Sequence, residues 1–189
     1  MPSPRFAPEL LLRAQGSGLG MRAAIFDVDG VLTDGRLYIG EAGEVFKAFH
    51  VLDGQGLKLL AQAGITPIII TGRDSAAVRR RMADLGLGDA FFGVSDKLAV
   101  AGPWLAERGL AWADVAVIGD DWPDLPLLAR AGLACVPPGG HAEALALAHH
   151  ITQARGGEGA AREFCDLLLM AGGHYAGLLA AQPGTLDGR

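Results

Sequence analysis

Residues 25–33 of this 189-residue chain are IFDVDGVLT, and this stretch decides the fold. The apolar residues from 23 to 28 predict a short buried strand, and Gly30 predicts a turn directly after it. Asp27 and Asp29 therefore lie at the carboxyl end of this strand, where open α/β sheets bind ligands. Because calcium loops and ordinary turns also contain Asp-x-Asp, the pair alone does not define a site.

Three later motifs add chemistry at predicted strand ends or helix starts. Thr71-Gly72-Arg73 follows an apolar run at 66–70 and offers a hydroxyl and a guanidinium, which suit a phosphate. Lys97 begins a predicted helix, where its ammonium can neutralise phosphoryl charge. Gly119-Asp120-Asp121 follows the apolar run 115–118, with Asp124 nearby, and its carboxylates are typical ligands of hard cations. Together these motifs predict a phosphate and Mg²⁺ site.

Length and composition favour one compact domain. With 50% hydrophobic residues, the chain can bury one substantial core. The net charge of -5 argues against a nucleic-acid-binding face. Cys135 and Cys165 have no metal-binding spacing and predict core thiols. No membrane-spanning segment or secretion signal is predicted, so we expect no membrane partner and a cytoplasmic location.

The predicted elements alternate between strands and helices. Residues 1–20 predict a flexible N-terminal arm with one helical turn or more, and residues 174–189 predict a mobile tail. Residues 36–49 predict a β-hairpin, because apolar and polar residues alternate around a glycine-containing turn. The other predicted elements are helix 56–63, strand 66–70, helix 75–85, a short strand near 91, helix 97–108, strand 115–118, helix 125–131, strand 133–136 and helix 162–170.

This alternation predicts the fold class and the domain organisation. Near-continuous apolar strands separated by helices indicate a parallel sheet covered on both faces. We therefore expect a doubly wound, Rossmann-like α/β domain over residues 21–173. The hairpin is a small insertion into it, and no stretch is long enough for a separate cap domain.

The order of Asp27-x-Asp29-Gly30, Thr71-Gly72-Arg73, Lys97 and Gly119-Asp120-Asp121 resembles the four motifs of the haloacid dehalogenase superfamily of phosphatases. This resemblance covers most of the chain. Within that superfamily, residues 30–35, 47–54 and 156–160 are similar to the 3-deoxy-D-manno-octulosonate 8-phosphate phosphatases. Near relatives of that family act on nonulosonate phosphates.

The resemblance implies a role for each motif residue. Asp27 would be the nucleophile that forms an aspartyl-phosphate, and Asp29 would be the general acid and base. The Mg²⁺ ligands would be the carboxylates of Asp27 and Asp120 and the backbone carbonyl of Asp29. Thr71 and Lys97 would bind the phosphoryl oxygens and offset their charge.

Substrate contacts are also implied by the resemblance, with two departures. Leu52 stands where the octulosonate enzymes typically have a basic residue, and Glu158 replaces the arginine of their Gly-Gly-Arg-Gly-Ala loop. Both departures remove positive charge that a carboxylated sugar phosphate would favour. The positions that match the family's sugar-acid site are Asp29, His50, Val51, Leu52, Asp53, Gly54, Lys58, Arg73, Arg81 and Lys97.

The leading hypothesis is a Mg²⁺-dependent phosphomonoesterase for a 3-deoxy-2-ulosonic acid phosphate, with 3-deoxy-D-manno-octulosonate 8-phosphate first. One alternative is a nonulosonate 9-phosphate or another small phosphosugar. Another is a receiver-like signalling domain, which also uses an aspartate, Mg²⁺ and a lysine, although Asp29 argues against it. A non-catalytic regulatory subunit is disfavoured because no core catalytic position has been lost.

Several residues keep structural alternatives. Thr71 could cap the helix near residue 75, and Asp121 or Asp124 could orient Asp120 or start the next helix. Only one of the arginines at 79–81 is expected to point inward. His50 fits a sugar-hydroxyl contact or a packed residue better than a metal ligand.

The resemblance also implies a homotetramer with the active site at a subunit interface. The hairpin at 36–49 of one subunit and the loop at 156–160 of another would help to shape each site. Val45, Phe46 and Phe49 fit intersubunit packing, but a hairpin that lies on its own core would need the same residues. The residues alone leave both arrangements open.

Overall fold

The computed structural model describes residues 6–18 and 20–182. Its strands are β1 (Ala23–Phe26), β2 (Tyr38–Gly40), β3 (Gly43–Phe46), β4 (Thr66–Ile70), β5 (Ala90–Phe91), β6 (Val115–Ile118), β7 (Leu133–Val136) and β8 (His150–Ile151). Its α-helices are α1 (Pro8–Arg13), α2 (Val51–Gln62), α3 (Ala76–Leu85), α4 (Lys97–Glu107), α5 (Leu125–Leu128), α6 (Ala142–Leu147), α7 (Ala160–Ala171) and α8 (Tyr175–Ala180).

A parallel six-stranded sheet forms the centre of the domain, in the order β5-β4-β1-β6-β7-β8. The chain runs outward from β1 through β4 and β5, and then returns to build the other half from β6. The strand order therefore reverses between β1 and β6, and such a reversal opens a crevice at the carboxyl ends of the strands. The predicted doubly wound α/β fold is confirmed.

Alternate residues of the sheet face two separate helical layers. In β1, Ala24 and Phe26 pack into a core with α2, α3 and α7, whereas Ala23 and Ile25 pack into a core with α4, α5 and α6. All four β1 side chains are buried, as expected for a strand covered on both faces. Because both faces of β1 are packed, its position in the sheet is fixed, and so is the position of Asp27, the residue that follows it.

Strands β2 and β3 form a separate two-stranded hairpin outside the main sheet. The rings of Tyr38 and Phe46 stack across it, with 4.3 Å between their centroids. Ile39 and Val45 remain 61% and 65% exposed, so much of the hairpin's apolar surface is not covered by its own chain.

Within the predicted N-terminal arm over 1–20, residues 8–13 form helix α1. Helix α1 packs against α7, Leu10 and Leu11 contact the core, and Ala14 is fully buried. Leu10, Leu11 and Ala14 lie on the docked face of this segment, whereas Leu12 is 65% exposed. Residues 1–5 and 19 lie outside the described residues.

Other differences occur where elements are short or rich in glycine. Helix α2 begins at residue 51 rather than at 56, although Gly54 and Gly56 lie inside it. The short elements α6 and β8 and the helix α8 are not predicted by the sequence pattern. In α8, Tyr175 and Leu178 pack against the core, so the predicted mobile tail is helical at its start, and its last part, 183–189, lies outside the described residues. Among the described residues, no helix is both long and apolar enough to span a bilayer.

Candidate active site

The ends of three neighbouring strands bring the predicted catalytic residues into one crevice. Asp27 directly follows β1, Thr71 directly follows β4, and Asp120 lies two residues after β6. Lys97 reaches the same edge of the sheet from the first turn of α4. The residues that line the crevice are Asp27, Asp29, Gly35, Thr71, Gly72, Arg73, Lys97, Asp120, Asp121, Pro123 and Asp124.

Lys97 joins two carboxylates inside this crevice. Its Nζ lies 2.7 Å from Asp27 Oδ1 and 2.6 Å from Asp124 Oδ1. Although burial favours the neutral amine, these two carboxylates raise the pKa of Lys97 above its usual value. Since a buried ammonium is stable only when it is paired, the two aspartates hold the charged side chain in place.

Asp124 also organises the loop that follows β6. Its Oδ2 accepts hydrogen bonds from the backbone N–H groups of Asp120, at 3.0 Å, and Asp121, at 3.3 Å. A Cβ on Gly119 would lie 2.4 Å from Asp124 Cγ, so only glycine leaves room for this carboxylate. Asp124 therefore supports Asp120, and with Asp121 it forms the capping box of the 3-10 helix Trp122–Asp124, so both alternatives left open by the sequence hold.

Asp27, Asp120 and Asp124 form an acidic cluster, because each has a carboxylate oxygen within 4.8 Å of the others. Burial, with a further contribution from Asp124, raises the pKa of Asp27 to about 6, although Lys97 opposes this change. Burial and the charges of Asp27, Asp124 and Asp121 raise the pKa of Asp120 to about 8.

The acidic cluster fits a hard divalent cation. Asp120 Oδ1 is buried and has no hydrogen-bond partner among the described residues. An unpartnered carboxylate oxygen beside two further carboxylates is costly unless a cation or a proton compensates it. Mg²⁺ prefers such oxygen ligands and binds through one or two carboxylates together with phosphate oxygens.

The turn after β1 is packed tightly from two sides. Gly30 has φ 88°, and a Cβ there would lie 2.0 Å from Asp120 Oδ2. On the other side, a Cβ on Gly156 would lie 1.8 Å from Gly30 O, and Gly157 N–H donates to Val31 O at 3.0 Å. The loop before α7 therefore fixes the turn that presents the two predicted catalytic aspartates.

Thr71 and Arg73 bring a hydroxyl and a cation to the crevice. Thr71 is 1% exposed, and its Oγ1 accepts a hydrogen bond from the backbone N–H of Arg73 at 3.4 Å. Ser75, not Thr71, caps α3, because its Oγ accepts from the backbone N–H of Val78. The structural alternative for Thr71 is thus wrong, and its hydroxyl remains able to donate into the crevice.

Asp29 contacts a residue that the sequence analysis did not select. Lys47 Nζ donates to Asp29 Oδ1, while Arg73 Nε lies 3.9 Å from Asp29 Oδ2. Lys47 also lies 3.3 Å from Glu44 Oε2. In the sequence, Lys47 is the first residue of the stretch 47–54 that is similar to the family, and it follows a hairpin strand, a position where lysines are also common on exposed edges.

Several predicted sugar-contacting residues lie apart from the crevice, around the start of α2. His50, Asp53, Gly54 and Arg81 line a small cavity that has no lining residue in common with the crevice. A Cβ on Gly54 would lie 2.3 Å from Arg81 Nη2, so the arginine rests directly on the helix backbone. Within one chain, these residues form a second polar region.

The exposed residues near this second region face outward. Val51 is 76% exposed and Leu52 is 52% exposed, and Lys58 is exposed further along α2. None of the three lines the crevice of its own chain. Of the predicted substrate positions, the crevice therefore contains Asp29, Arg73 and Lys97.

Asp53 has a structural contact within its own chain. Its Oδ1 accepts a hydrogen bond of 2.8 Å from the backbone N–H of Arg162, in the first turn of α7. Burial raises the pKa of Asp53, although backbone hydrogen bonds oppose the change. Asp53 Oδ2 and the neighbouring His50 Nδ1 are buried and have no partner among the described residues.

Glu158 lines a polar pocket next to the crevice. This pocket also contains Arg36 and Arg155, and it shares Gly35 and Asp120 with the crevice. Glu158 is not among the residues that line the crevice itself. Arg155, three residues before Glu158 in the same loop, lines the same pocket.

Comparison with known proteins gives close relatives over most of the chain. A 3-deoxy-D-manno-octulosonate 8-phosphate phosphatase of Yersinia pestis is 42% identical over 151 residues, which are 80% of this chain and 81% of that protein. The chain belongs to the 3-deoxy-D-manno-octulosonate 8-phosphate phosphatase family. No protein-family model matches it.

Solved structures of this family and superfamily agree with the fold. The 3-deoxy-D-manno-octulosonate 8-phosphate phosphatase of Moraxella catarrhalis, in complex with a magnesium ion, a phosphate ion and KDO, superposes with a TM-score of 0.85 at 38% identity, covering 91% of this chain and 97% of that one. A Legionella pneumophila hydrolase assigned to subfamily III A of the HAD superfamily has a TM-score of 0.84 at 42% identity, covering 89% and 90%. The resemblance drawn from the sequence motifs is confirmed.

Proposed function

We propose that this protein is a Mg²⁺-dependent phosphomonoesterase that hydrolyses 3-deoxy-D-manno-octulosonate 8-phosphate to the free sugar acid and phosphate. The observation that carries the proposal is the crevice at the strand reversal, where Lys97 joins Asp27 to Asp124 beside the unpartnered Asp120 oxygen. Membership of the family supports the octulosonate phosphate as substrate, since two of its named members are 42% and 39% identical to this chain.

Asp27 is the proposed nucleophile. One carboxylate oxygen attacks phosphorus and forms an aspartyl-phosphate, while the bond from phosphorus to the sugar oxygen breaks. Lys97 holds Asp27 Oδ1 at 2.7 Å, which fixes the carboxylate and leaves Oδ2 for attack. Thr71 donates its hydroxyl to the phosphoryl oxygens, and Lys97 offsets part of their negative charge.

Asp29 is the proposed general acid and base. It gives a proton to the leaving sugar oxygen and later takes one from the water that hydrolyses the aspartyl-phosphate. The Asp29 carboxylate lines the same crevice as Asp27 and is 22% exposed, so it can reach both the substrate and water.

The proposed metal ligands are the carboxylates of Asp27 and Asp120 and the backbone carbonyl of Asp29. When bound, Mg²⁺ supplies the positive charge that lets an anionic carboxylate approach an anionic phosphate. The high pKa values of Asp27 and Asp120 without a cation support this ligand set, because like charges at this spacing need compensation.

The sugar acid is proposed to bind where two subunits meet. His50, Val51, Leu52, Asp53, Gly54, Lys58 and Arg81 are the substrate positions outside their own crevice. In the proposed homotetramer, this surface of one subunit covers the crevice of its neighbour. The exposed apolar surface of the hairpin, including Ile39, Val45 and Phe46, supports such packing. A cytoplasmic location remains a prediction.

The test is phosphate release from 3-deoxy-D-manno-octulosonate 8-phosphate with and without Mg²⁺, beside a panel of nonulosonate 9-phosphates and simple sugar phosphates. We expect metal-dependent release that is selective for the octulosonate. Higher kcat/KM for a nonulosonate 9-phosphate would reassign the substrate and keep the chemistry. No release from any substrate, or an aspartyl-phosphate that persists, would contradict the phosphatase function.

Glu158→Arg tests the residue that departs from the family loop. Because Glu158 lies with Arg155 in the pocket next to the crevice, the local cation is already present and we expect less than a threefold change in kcat/KM for the octulosonate substrate. A large gain would indicate instead that the arginine at position 158 is a missing substrate contact.

A further inference from the structure

Lys47 is a buried cation on an otherwise exposed hairpin. It follows β3 directly, and its side chain is 1% exposed, whereas Val45 and Phe46 beside it are 65% and 50% exposed. Burying an ammonium is costly unless anions compensate it. Here the compensating anions are Asp29, which accepts a hydrogen bond at Oδ1, and Glu44, whose Oε2 lies 3.3 Å away.

Glu44 extends this contact to the body of the domain. Its other carboxylate oxygen, Oε1, accepts a hydrogen bond from the hydroxyl of Ser75, the residue that caps α3. Although burial opposes it, hydrogen bonds from Ser75 and Lys47 lower the pKa of Glu44, so it is held as an anion. A continuous polar chain thus runs from α3 through the hairpin to the carboxylate of Asp29.

The two oxygens of Asp29 have different surroundings. Oδ1 receives Lys47 and lies 3.5 Å from the hydroxyl of Thr33. Among the described residues, the ion-pair partner of Oδ2 is the guanidinium of Arg73, whose Nε is 3.9 Å away and beyond direct hydrogen-bond distance. One oxygen is therefore held and the other is available to exchange a proton in the crevice.

We propose that Lys47 is the positioning residue that orients Asp29 for proton transfer to the leaving sugar oxygen. The inference rests on the proposed phosphatase function. By fixing Oδ1, Lys47 directs Oδ2 toward the bond that breaks as Asp27 joins phosphorus. Glu44 and Ser75 fix Lys47 in turn, so this single contact makes the chemistry depend on docking of the hairpin.

The test compares two leaving groups in the first turnover of Lys47→Met. A sugar hydroxyl leaves poorly and needs the proton from Asp29, whereas p-nitrophenolate leaves without one. General acid catalysis contributes about 10²- to 10⁴-fold. We expect release of the sugar acid, measured by rapid quench, to slow by at least about tenfold, while the burst of p-nitrophenol from p-nitrophenyl phosphate changes less than about twofold.

Two further variants guard against a trivial loss of structure. Glu44→Gln keeps the shape of the side chain that contacts Lys47 and removes its negative charge. We therefore expect release of the sugar acid to slow selectively, but by less than in Lys47→Met. Arg80→Met removes a cation from an exposed ion pair with Asp84 and should change neither leaving-group rate. Thermal unfolding of each variant reports whether the fold is kept.

The outcomes separate this inference from the proposed function. Equal slowing of both substrates by Lys47→Met, or no slowing of either, would overturn the positioning role while the wild-type enzyme still releases phosphate. Absence of release by the wild-type protein would overturn the phosphatase function itself, and the inference with it. Selective slowing of the sugar phosphate supports both.

Discussion

The crevice and the region around the start of α2 differ in how far one chain completes them. In the crevice, Lys97 pairs with both Asp27 and Asp124, and Asp120 Oδ1, which has no partner among the described residues, belongs to the same acidic cluster. At the start of α2, His50 Nδ1 and Asp53 Oδ2 are buried without partners among the described residues, and Val51 and Leu52 are exposed. One subunit thus contains the predicted reactive groups, whereas most of the positions proposed for sugar recognition lie outside its crevice.

The largest expected effect comes from removing the proposed nucleophile. Asp27→Asn leaves an isosteric side chain that cannot form the aspartyl-phosphate, so we expect kcat to fall by about four orders of magnitude or more. The measurement is phosphate release at saturating substrate and Mg²⁺. Asp84→Asn, an exposed carboxylate on α3, is the matched control and should keep wild-type activity. Retained activity in Asp27→Asn would remove the crevice from the chemistry.

The next effect tests whether the crevice is self-sufficient. Lys97→Ala leaves Asp27 and Asp124 buried without their cation, and breaking a buried pair in this way costs about 3–5 kcal/mol. We expect the free energy of unfolding, measured with urea in the absence of metal, to fall by about that amount. We also expect kcat to fall by about 10²- to 10³-fold. Unchanged stability would mean that the pair is not maintained in solution.

Mixing two inactive variants tests whether the second region acts on a neighbouring crevice. Asp27→Asn removes the proposed nucleophile, and Arg81→Ala removes a proposed sugar contact. After the two are unfolded and refolded together, about a quarter of the sites should combine an intact crevice with an intact neighbour. We expect activity to return to about that fraction. No recovery in mixed oligomers would place both regions at one site within a subunit.

The smallest expected effect is on the pH dependence of the melting temperature, which tests the raised pKa of Asp120 in the crevice. In metal-free protein, Asp120 has a pKa of about 8, against an ordinary value of 3.8, so the folded state binds the proton more tightly than the unfolded state does. Stability from this group is therefore lost as pH rises from about 4 to about 8. We expect Asp120→Asn to reduce the fall of the melting temperature over this range by about 2 °C or more.

Added Mg²⁺ provides the matching control for this pH series. Because the ion binds the ionised carboxylates, it should stabilise wild type more at pH 8 than at pH 5 and should stabilise Asp120→Asn less at both. Parallel melting curves for the two proteins without metal would contradict the raised pKa of Asp120.

The sequence predicts the crevice well because its residues lie at strand ends. Asp27, Thr71 and Asp120 each follow a run of buried apolar residues, and parallel neighbours must bring such ends to one edge. Burial on both faces makes these strands easy to recognise. The same rule predicts the doubly wound order once the helices between the strands are identified.

The parts that the sequence does not predict depend on contacts between distant segments. The start of α2 is obscured by Gly54 and Gly56, which weaken the helical pattern. The structure gives their reason, since a Cβ on them would meet Arg81 Nη2 at 2.3 Å and Cys165 Sγ at 3.0 Å. The role of Lys47 is also hidden in the sequence, because its burial against Asp29 follows from how the hairpin docks.

Helix α6 and strand β8 are missed for a different reason. These elements are short, with β8 only two residues long, so their periodicity is too brief to distinguish from loop. Their stability comes from docking on larger elements, as α1 docks on α7. Whether such short segments form a helix or a strand depends on tertiary packing more than on local propensity.

The contact between Gly156 and Gly30 has a consequence for the timing of biosynthesis. The turn that carries the proposed nucleophile leaves the ribosome before the loop that braces it, and more than half of the 189 residues separate the two. Since a domain of this size folds as a unit, the turn gains its final shape only after that loop emerges. A prematurely terminated polypeptide that ends before Gly156 would carry every motif aspartate and remain an incompetent enzyme.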